Sequence, residues 1–149
     1  MSLLTTLNDD IKTAMKAKDK ETLSVLRMLK SGVQNEQIKM NRDLNGEEEL
    51  VVLSREMKQR KDSLLEFEKA GREDLADKAK FEITIVEKYL PEKLTEDELR
   101  EIIQSAITES GAASPAEFGK VMGLIMPKIL GRADGNSASA IVKEMLKKN

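Results

Sequence analysis

The stretch "YLPEKLTEDELR", residues 89–100, divides this sequence into two helical parts. Pro91 has no backbone N–H and disfavours helical geometry in the residue before it, so a helix arriving here must end. Thr95 and Glu98 then form the pattern of a capping box, in which each side chain accepts a hydrogen bond from the other residue's backbone N–H. We therefore predict a domain boundary after Pro91 and a new helix start at Thr95.

The predicted N-terminal domain, residues 1–91, contains four amphipathic stretches with apolar residues three and four positions apart. The four helices are expected at about 3–17, from the cap Asp19 to about Ile38, at about 47–70 and at about 72–89. We place Ile38 on the inner face of the second helix. The turn-rich "NRDLNG" at 41–46 separates the second helix from the third. This pattern predicts an N-terminal helical bundle.

The predicted C-terminal domain, residues 92–149, has three helix starts and no strand-like alternation. The first helix begins after Thr95 and stops at Gly111, which suits a helix C-cap. The second begins at Ser114, with a proline at its first position, and the third begins near Ser137. We therefore predict an all-α protein with a smaller C-terminal three-helix unit.

The composition excludes several classes of site. The 149 residues include no cysteine and no histidine, which removes thiolate nucleophiles, imidazole bases and the commonest zinc ligands. The sequence begins without the pattern of a secretory signal, and no stretch approaches the roughly 18 apolar residues of a membrane span. We therefore predict a cytoplasmic protein that binds no metal, no cofactor and no membrane.

The charges are unevenly distributed. Residues 116–149 carry six bases and three acids, whereas residues 1–115 carry 19 bases and 24 acids. A basic segment in an otherwise acidic chain indicates an anionic partner for that segment.

The basic segment contains an unusual helix, "GKVMGLIMPKILGRADG" at 119–135. On a helical wheel, one arc is apolar and is predicted to face the core. Its residues are Phe118, Val121, Met122, Ile125, Met126 and Ile129. The opposite arc collects the helix breakers and two lysines, and its residues are Gly119, Lys120, Gly123, Leu124, Pro127, Lys128 and Gly131.

The helix breakers are costly, at about 1 kcal/mol for each interior glycine and about 3 kcal/mol for an interior proline relative to alanine. One interpretation is that the bare surface lets another backbone approach, with lysines and Arg132 available for phosphate and a free helix N-terminus near Asn136. The alternative is that the glycines admit a neighbouring helix of the same protein, that Arg132 and Asp134 form an ion pair in the turn, and that the lysines are simply solvated.

Four stretches of the sequence resemble the YqeY family, stand-alone relatives of the tail of the B subunit (GatB) of tRNA-dependent amidotransferases. They are "LRMLKSGVQNEQI" at 26–38, "REMKQRKDS" at 55–63, "YLPEKLTEDEL" at 89–99 and the glycine-rich helix at 119–135. The resemblance implies an all-helical protein whose C-terminal unit is like the GatB tail domain. In fused members this module holds the outer corner of tRNA. The resemblance also implies that this chain contacts the tRNA backbone through Lys120, Gly123, Lys128, Gly131 and Arg132.

The function that follows from the resemblance is a non-catalytic tRNA-binding or tRNA-handling module that reads shape and charge. Aromatic residues make up only 3% of the chain, so no platform for base stacking is expected. The alternative is a protein-interaction module that recruits an aminoacyl-tRNA synthetase or amidotransferase. The family is associated with carbon–nitrogen ligases that use glutamine as amido donor, but the sequence contains no amidase cluster and no Gly-rich phosphate loop. We therefore predict no catalytic residues and no enzymatic activity.

A second basic block, "SREMKQRKDS" at 54–63, supplies two further candidates for RNA contact, Arg55 and Lys58. Both share one helix stripe with Asp62, and we favour the alternative that this stripe is a ladder of salt bridges.

Overall fold

The computed structural model describes residues 2–148, with side chains up to Lys147, and this part of the chain contains seven α-helices and no β-strand. The helices are α1 (Leu3–Lys16), α2 (Lys20–Met40), α3 (Gly46–Lys69), α4 (Glu73–Glu87), α5 (Glu96–Ser110), α6 (Phe118–Ile129) and α7 (Gly135–Lys148). The predicted all-α class is confirmed. The chain forms two compact units, one ending at Pro91 and one beginning at Glu92.

The N-terminal unit is a bundle of α1 to α4 around an aliphatic core. Its helix starts follow local chemistry, since Asp19 accepts the backbone N–H of Thr22 and Asn45 forms a capping box with Glu48. The core residues are Leu7, Ala14, Val25, Leu26, Leu29, Val33, Val52, Leu53, Met57, Ile85 and Val86.

Our placement of Ile38 on the inner face of α2 is wrong, because its side chain is 76% exposed. Ile38 lies five residues after the buried Val33, which turns it about 140° around the helix and out of the core.

A buried arginine joins the helices of this bundle. Arg60 is only 7% exposed, and its Nη1 lies 2.7 Å from Glu56 Oε2 while its Nε lies 3.2 Å from Glu82 Oε1. These contacts connect α3 to α4. On α2, a Cβ added to Gly32 would lie 2.8 Å from Glu56 Oε1, so the absent side chain of Gly32 makes room for this carboxylate.

The C-terminal unit packs α5, α6 and α7 around a second aliphatic core. The predicted capping box between Thr95 and Glu98 is present, and Gly111 ends α5 with a φ of 71°. A short 3-10 turn, Pro115–Glu117, leads into α6. The core residues are Leu99, Ile103, Ala106, Ile107, Ala112, Val121, Ile125, Ile129, Ala138, Ile141, Val142 and Leu146.

Candidate nucleic-acid interface

The two glycines of α6 face open space. Gly119 and Gly123 are exposed, and apart from the helix's own backbone, a Cβ added at either position would meet no described heavy atom within 4 Å. Packing against a neighbouring helix of the C-terminal unit therefore does not explain them. The glycines leave the α6 backbone bare on the solvent side.

Pro127 adds a polar group to this bare surface. It lies inside α6, which continues to Ile129, and its ring nitrogen cannot donate to the carbonyl of Gly123, four residues earlier. The Gly123 carbonyl therefore lacks the donor that an uninterrupted helix supplies. Since Gly123 and Pro127 are both exposed, this acceptor lies on the solvent side of the helix.

Two lysines flank the bare backbone. Lys120 and Lys128 are exposed, and within the described part of the chain neither amine has a carboxylate at ion-pair distance. They lie eight residues apart, about 12 Å along the helix axis. We call Gly119, Lys120, Gly123, Pro127 and Lys128 the α6 face.

The apolar arc of α6 is rotated relative to our prediction. Met126, which we placed in the core, is 41% exposed, whereas Leu124, which we placed on the opposite arc, is half-buried and packs against the core. The spacing of the apolar residues predicts that α6 has an apolar arc, but which residues lie at the edges of this arc depends on how α5 and α7 pack against α6. Met126 therefore lies at the border of the α6 face.

Gly131 and Arg132 have identifiable structural roles. Gly131 has a φ of 74°, a left-handed conformation that favours glycine. Arg132 Nε donates to the carbonyl of Glu92 at 3.1 Å, and the Arg132 carbonyl accepts the N–H of Leu94 at 2.9 Å. Together these bonds attach the segment before α5 to the α6–α7 turn. Phosphate contact by Arg132 stays a prediction, and the structure shows its Nε already engaged.

The expectation of a free helix N-terminus near Asn136 is wrong. Asp134 caps α7, because its Oδ1 accepts the N–H of Asn136 at 3.1 Å and its carbonyl accepts the N–H of Ala138 at 3.0 Å. A carboxylate of the chain itself occupies the place where an external anion would bind. The Asp134 carboxylate thus caps α7, a role different from the ion pair with Arg132 considered above.

Lys143 is a cation near α6 that the sequence did not reveal. Its Nζ lies 5.3 Å from the centroid of the Phe118 ring, a cation–π distance. Lys143 belongs to α7 and Phe118 is the first residue of α6, so only the packing of the two helices brings them together. No spacing in the sequence signals this pair.

The second basic block forms salt bridges. Arg55 Nη1 lies 3.4 Å from Glu36 Oε2 on α2, and Lys58 Nζ lies 2.9 Å from Asp62 Oδ2 one turn along α3. The Lys58–Asp62 pair agrees with the salt-bridge ladder along one helix that we favoured, whereas Arg55 pairs with a carboxylate of another helix. RNA contact by Arg55 or Lys58 stays a prediction.

Two kinds of feature are absent from residues 2–148. No group of three or more acidic side chains there is arranged to hold a metal ion. None of the helices combines the length and the apolar character that crossing a bilayer requires.

The comparisons with known proteins place the chain in a family. The model of the family described as "Yqey-like protein" matches residues 4–146. A relative from Pyrenophora tritici-repentis, named altered inheritance of mitochondria protein 41, mitochondrial, is 31% identical over 97% of this chain and 81% of its own length. Relatives of the same name are 34% identical in Lachancea thermotolerans, over 74% of this chain and 60% of theirs, and 29% identical in Saccharomyces cerevisiae, over 95% and 80%.

These names contradict our prediction of a cytoplasmic protein, because each relative is named as mitochondrial. The prediction relied on the missing secretory signal and the missing membrane span. Both observations bear on secretion and membrane insertion, and neither bears on import into mitochondria.

Proposed function

The chain belongs to the YqeY-like protein family, and on this premise we propose that it is a non-catalytic module that binds tRNA through the α6 face. The observation that carries the proposal is the open space at Gly119 and Gly123. Each glycine reduces helix stability and gains no contact within the described chain in return. A ligand whose backbone lies directly against α6 accounts for both glycines.

The polar groups of the α6 face suit an RNA backbone. Lys120 and Lys128 supply two unpaired positive charges for phosphates. The carbonyl of Gly123, which lacks the Pro127 donor, can accept a hydrogen bond from a ribose 2′-hydroxyl, a group that DNA does not have. Recognition of this kind depends on the shape of the RNA backbone and does not distinguish one base sequence from another.

The test is a titration of the full chain with total tRNA at about 0.05 and 0.2 M salt, with duplex DNA of similar charge as competitor. Replacing both Lys120 and Lys128 with glutamine should make the slope of log affinity against log salt shallower by about 1.5. The matched control replaces Lys61 and Lys80, two exposed lysines of the N-terminal unit, with glutamine. Equal binding of DNA, or equal effects of the two double variants, contradicts the proposal.

The exposure of Met126 favours a second candidate function, recruitment of a protein such as an aminoacyl-tRNA synthetase or amidotransferase. A flexible apolar side chain beside a bare helix suits a protein surface. For this function, Met126→Gln should abolish co-purification of a defined synthetase or amidotransferase and leave tRNA affinity unchanged. If the chain binds only tRNA, no synthetase or amidotransferase should co-purify with it, with or without the Met126→Gln substitution.

The non-catalytic part of the proposal has its own test. The purified chain should hydrolyse neither glutamine nor ATP above the rate of a buffer blank. Turnover that persists through repeated purification, and that disappears when a single residue is replaced, contradicts it.

A further inference from the structure

We infer that the outer face of α2 is a second surface for a nucleic-acid phosphodiester backbone, located on the N-terminal unit. This inference rests on the proposed function, because it assigns the same class of ligand to a different part of the chain. The surface consists of six exposed residues, Lys20, Ser24, Arg27, Ser31, Gln34 and Asn35, which we call the α2 face.

The α2 face carries hydrogen-bond donors and no acid. At 100° per residue its six side chains fall within about 100° of the helix circumference, whereas Glu21 and Glu36 lie outside this arc. From Lys20 to Asn35, 15 positions later, the face extends about 22 Å along the axis.

Arg27 differs from the other arginines of the N-terminal unit, because no described carboxylate lies at ion-pair distance from it. Every other arginine of the N-terminal unit pairs with a carboxylate, at distances from 2.6 to 3.4 Å. These arginines are Arg42, Arg55, Arg60 and Arg72. Among the described residues, Arg27 contacts no carboxylate at ion-pair distance, and it is exposed. Its guanidinium is therefore available to an external anion, and its planar fork fits a phosphate.

An open groove of about 850 Å³ follows the α2 face. Its lining includes Lys20, Arg27 and Asn35 from the face, together with Gly32 and Glu56. Glu56 brings a carboxylate to this lining, where its Oε2 is paired at 2.7 Å with Arg60, a cation that it shares with Glu82. The groove thus combines the cations Lys20 and Arg27 and several hydroxyl and amide donors with the apolar side chains of Leu23 and Met28.

This combination fits a phosphodiester backbone better than an acidic protein. Lysine, arginine, serine and amide side chains are the groups that contact phosphate and sugar in nucleic-acid complexes. Lys20 and Arg27 lie seven residues apart, about 10.5 Å along α2, so each can bind a different phosphate. No aromatic side chain lines the groove, which is consistent with contacts to the backbone and not to the bases.

The experiment compares three double variants of the full chain in tRNA binding across a range of salt concentrations. Replacing Lys20 and Arg27 with glutamine should weaken binding about tenfold near 0.15 M salt and make the salt slope shallower by about 1.5. The matched control replaces Lys61 and Lys80 with glutamine, which removes the same charge from exposed sites of the same unit. The third variant replaces Lys120 and Lys128.

The outcomes separate this inference from the proposed function. If the Lys20 and Arg27 variant binds tRNA like the control while the Lys120 and Lys128 variant is weakened, the inference is overturned and the α6 face stands. The reverse result supports the α2 face and overturns the α6 face. Full competition by poly-L-glutamate at equal charge concentration identifies a general acidic-polymer surface and overturns the inference.

Discussion

Replacing Gly123 should strengthen the fold and weaken RNA binding, two effects with opposite consequences for the protein. An alanine in mid-helix is about 1 kcal/mol more favourable than glycine, and the added Cβ meets no described atom within 4 Å. For a unit of this size the gain corresponds to a rise in melting temperature of roughly 4–8 °C. If a nucleic-acid backbone lies on Gly123, Gly123→Leu should also lower tRNA affinity by about tenfold, or 1.4 kcal/mol.

Two controls define what this result means. Gln104→Leu places the same side chain on an exposed position of α5 and should leave tRNA affinity unchanged. Gly32→Ala should raise the melting temperature less than Gly123→Ala does, because its Cβ would lie 2.8 Å from Glu56 Oε1 and this carboxylate would have to move. The assays are thermal unfolding followed by circular dichroism and tRNA titration at fixed salt. A lower melting temperature for Gly123→Ala, or unchanged tRNA affinity for Gly123→Leu, refutes the reasoning.

Three further predictions concern stability and are measured by urea unfolding. Arg60→Met should reduce the free energy of unfolding by about 3 kcal/mol, because the substitution leaves Glu56 and Glu82 without their shared cation. A loss below about 1 kcal/mol would show that water solvates the two carboxylates in place of the guanidinium. Thr95→Ala should cost about 1 kcal/mol by removing the cap of α5, and Thr95→Ser should restore it. The hydrogen bonds from Arg42 and from the Asn45 N–H lower the pKa of Glu48 from 4.5 to about 2. The contribution of Glu48 to stability is therefore complete above pH 4.5 and is lost as pH falls towards 2. Arg42→Gln should weaken this dependence of stability on pH, and identical pH profiles for the variant and the unsubstituted chain would contradict the prediction.

Helix boundaries were largely predictable because they depend on residues close in sequence. The capping box at Thr95, the left-handed Gly111 and the cap at Asp19 are each set within one helical turn. Met126 and Leu124 were misplaced for the opposite reason. Each lies near the edge of a periodic pattern, where burial depends on the exact direction of the neighbouring helix.

The candidate site shows the same division. The spacing of Gly119, Lys120, Gly123 and Lys128 in the sequence placed them on one side of a helix, and all four are exposed. The sequence left open whether a helix of the same chain covers the glycines. Within the C-terminal unit the structure answered this, because neither α5 nor α7 brings an atom within 4 Å of a Cβ at either position. The bond from Arg132 to Glu92 joins residues 40 positions apart, so no local pattern could have predicted it.

The sequence by itself determined the helical class, the family and the helix caps, because periodicity, capping and turn chemistry act over a few residues. The tertiary structure decided which cations remain unpaired, which glycines face solvent and which arginine is buried. Those properties depend on the distance between side chains on different helices. The difference between a paired and an unpaired arginine therefore lies in packing, since among the described residues Arg60 contacts two carboxylates and Arg27 contacts none at ion-pair distance.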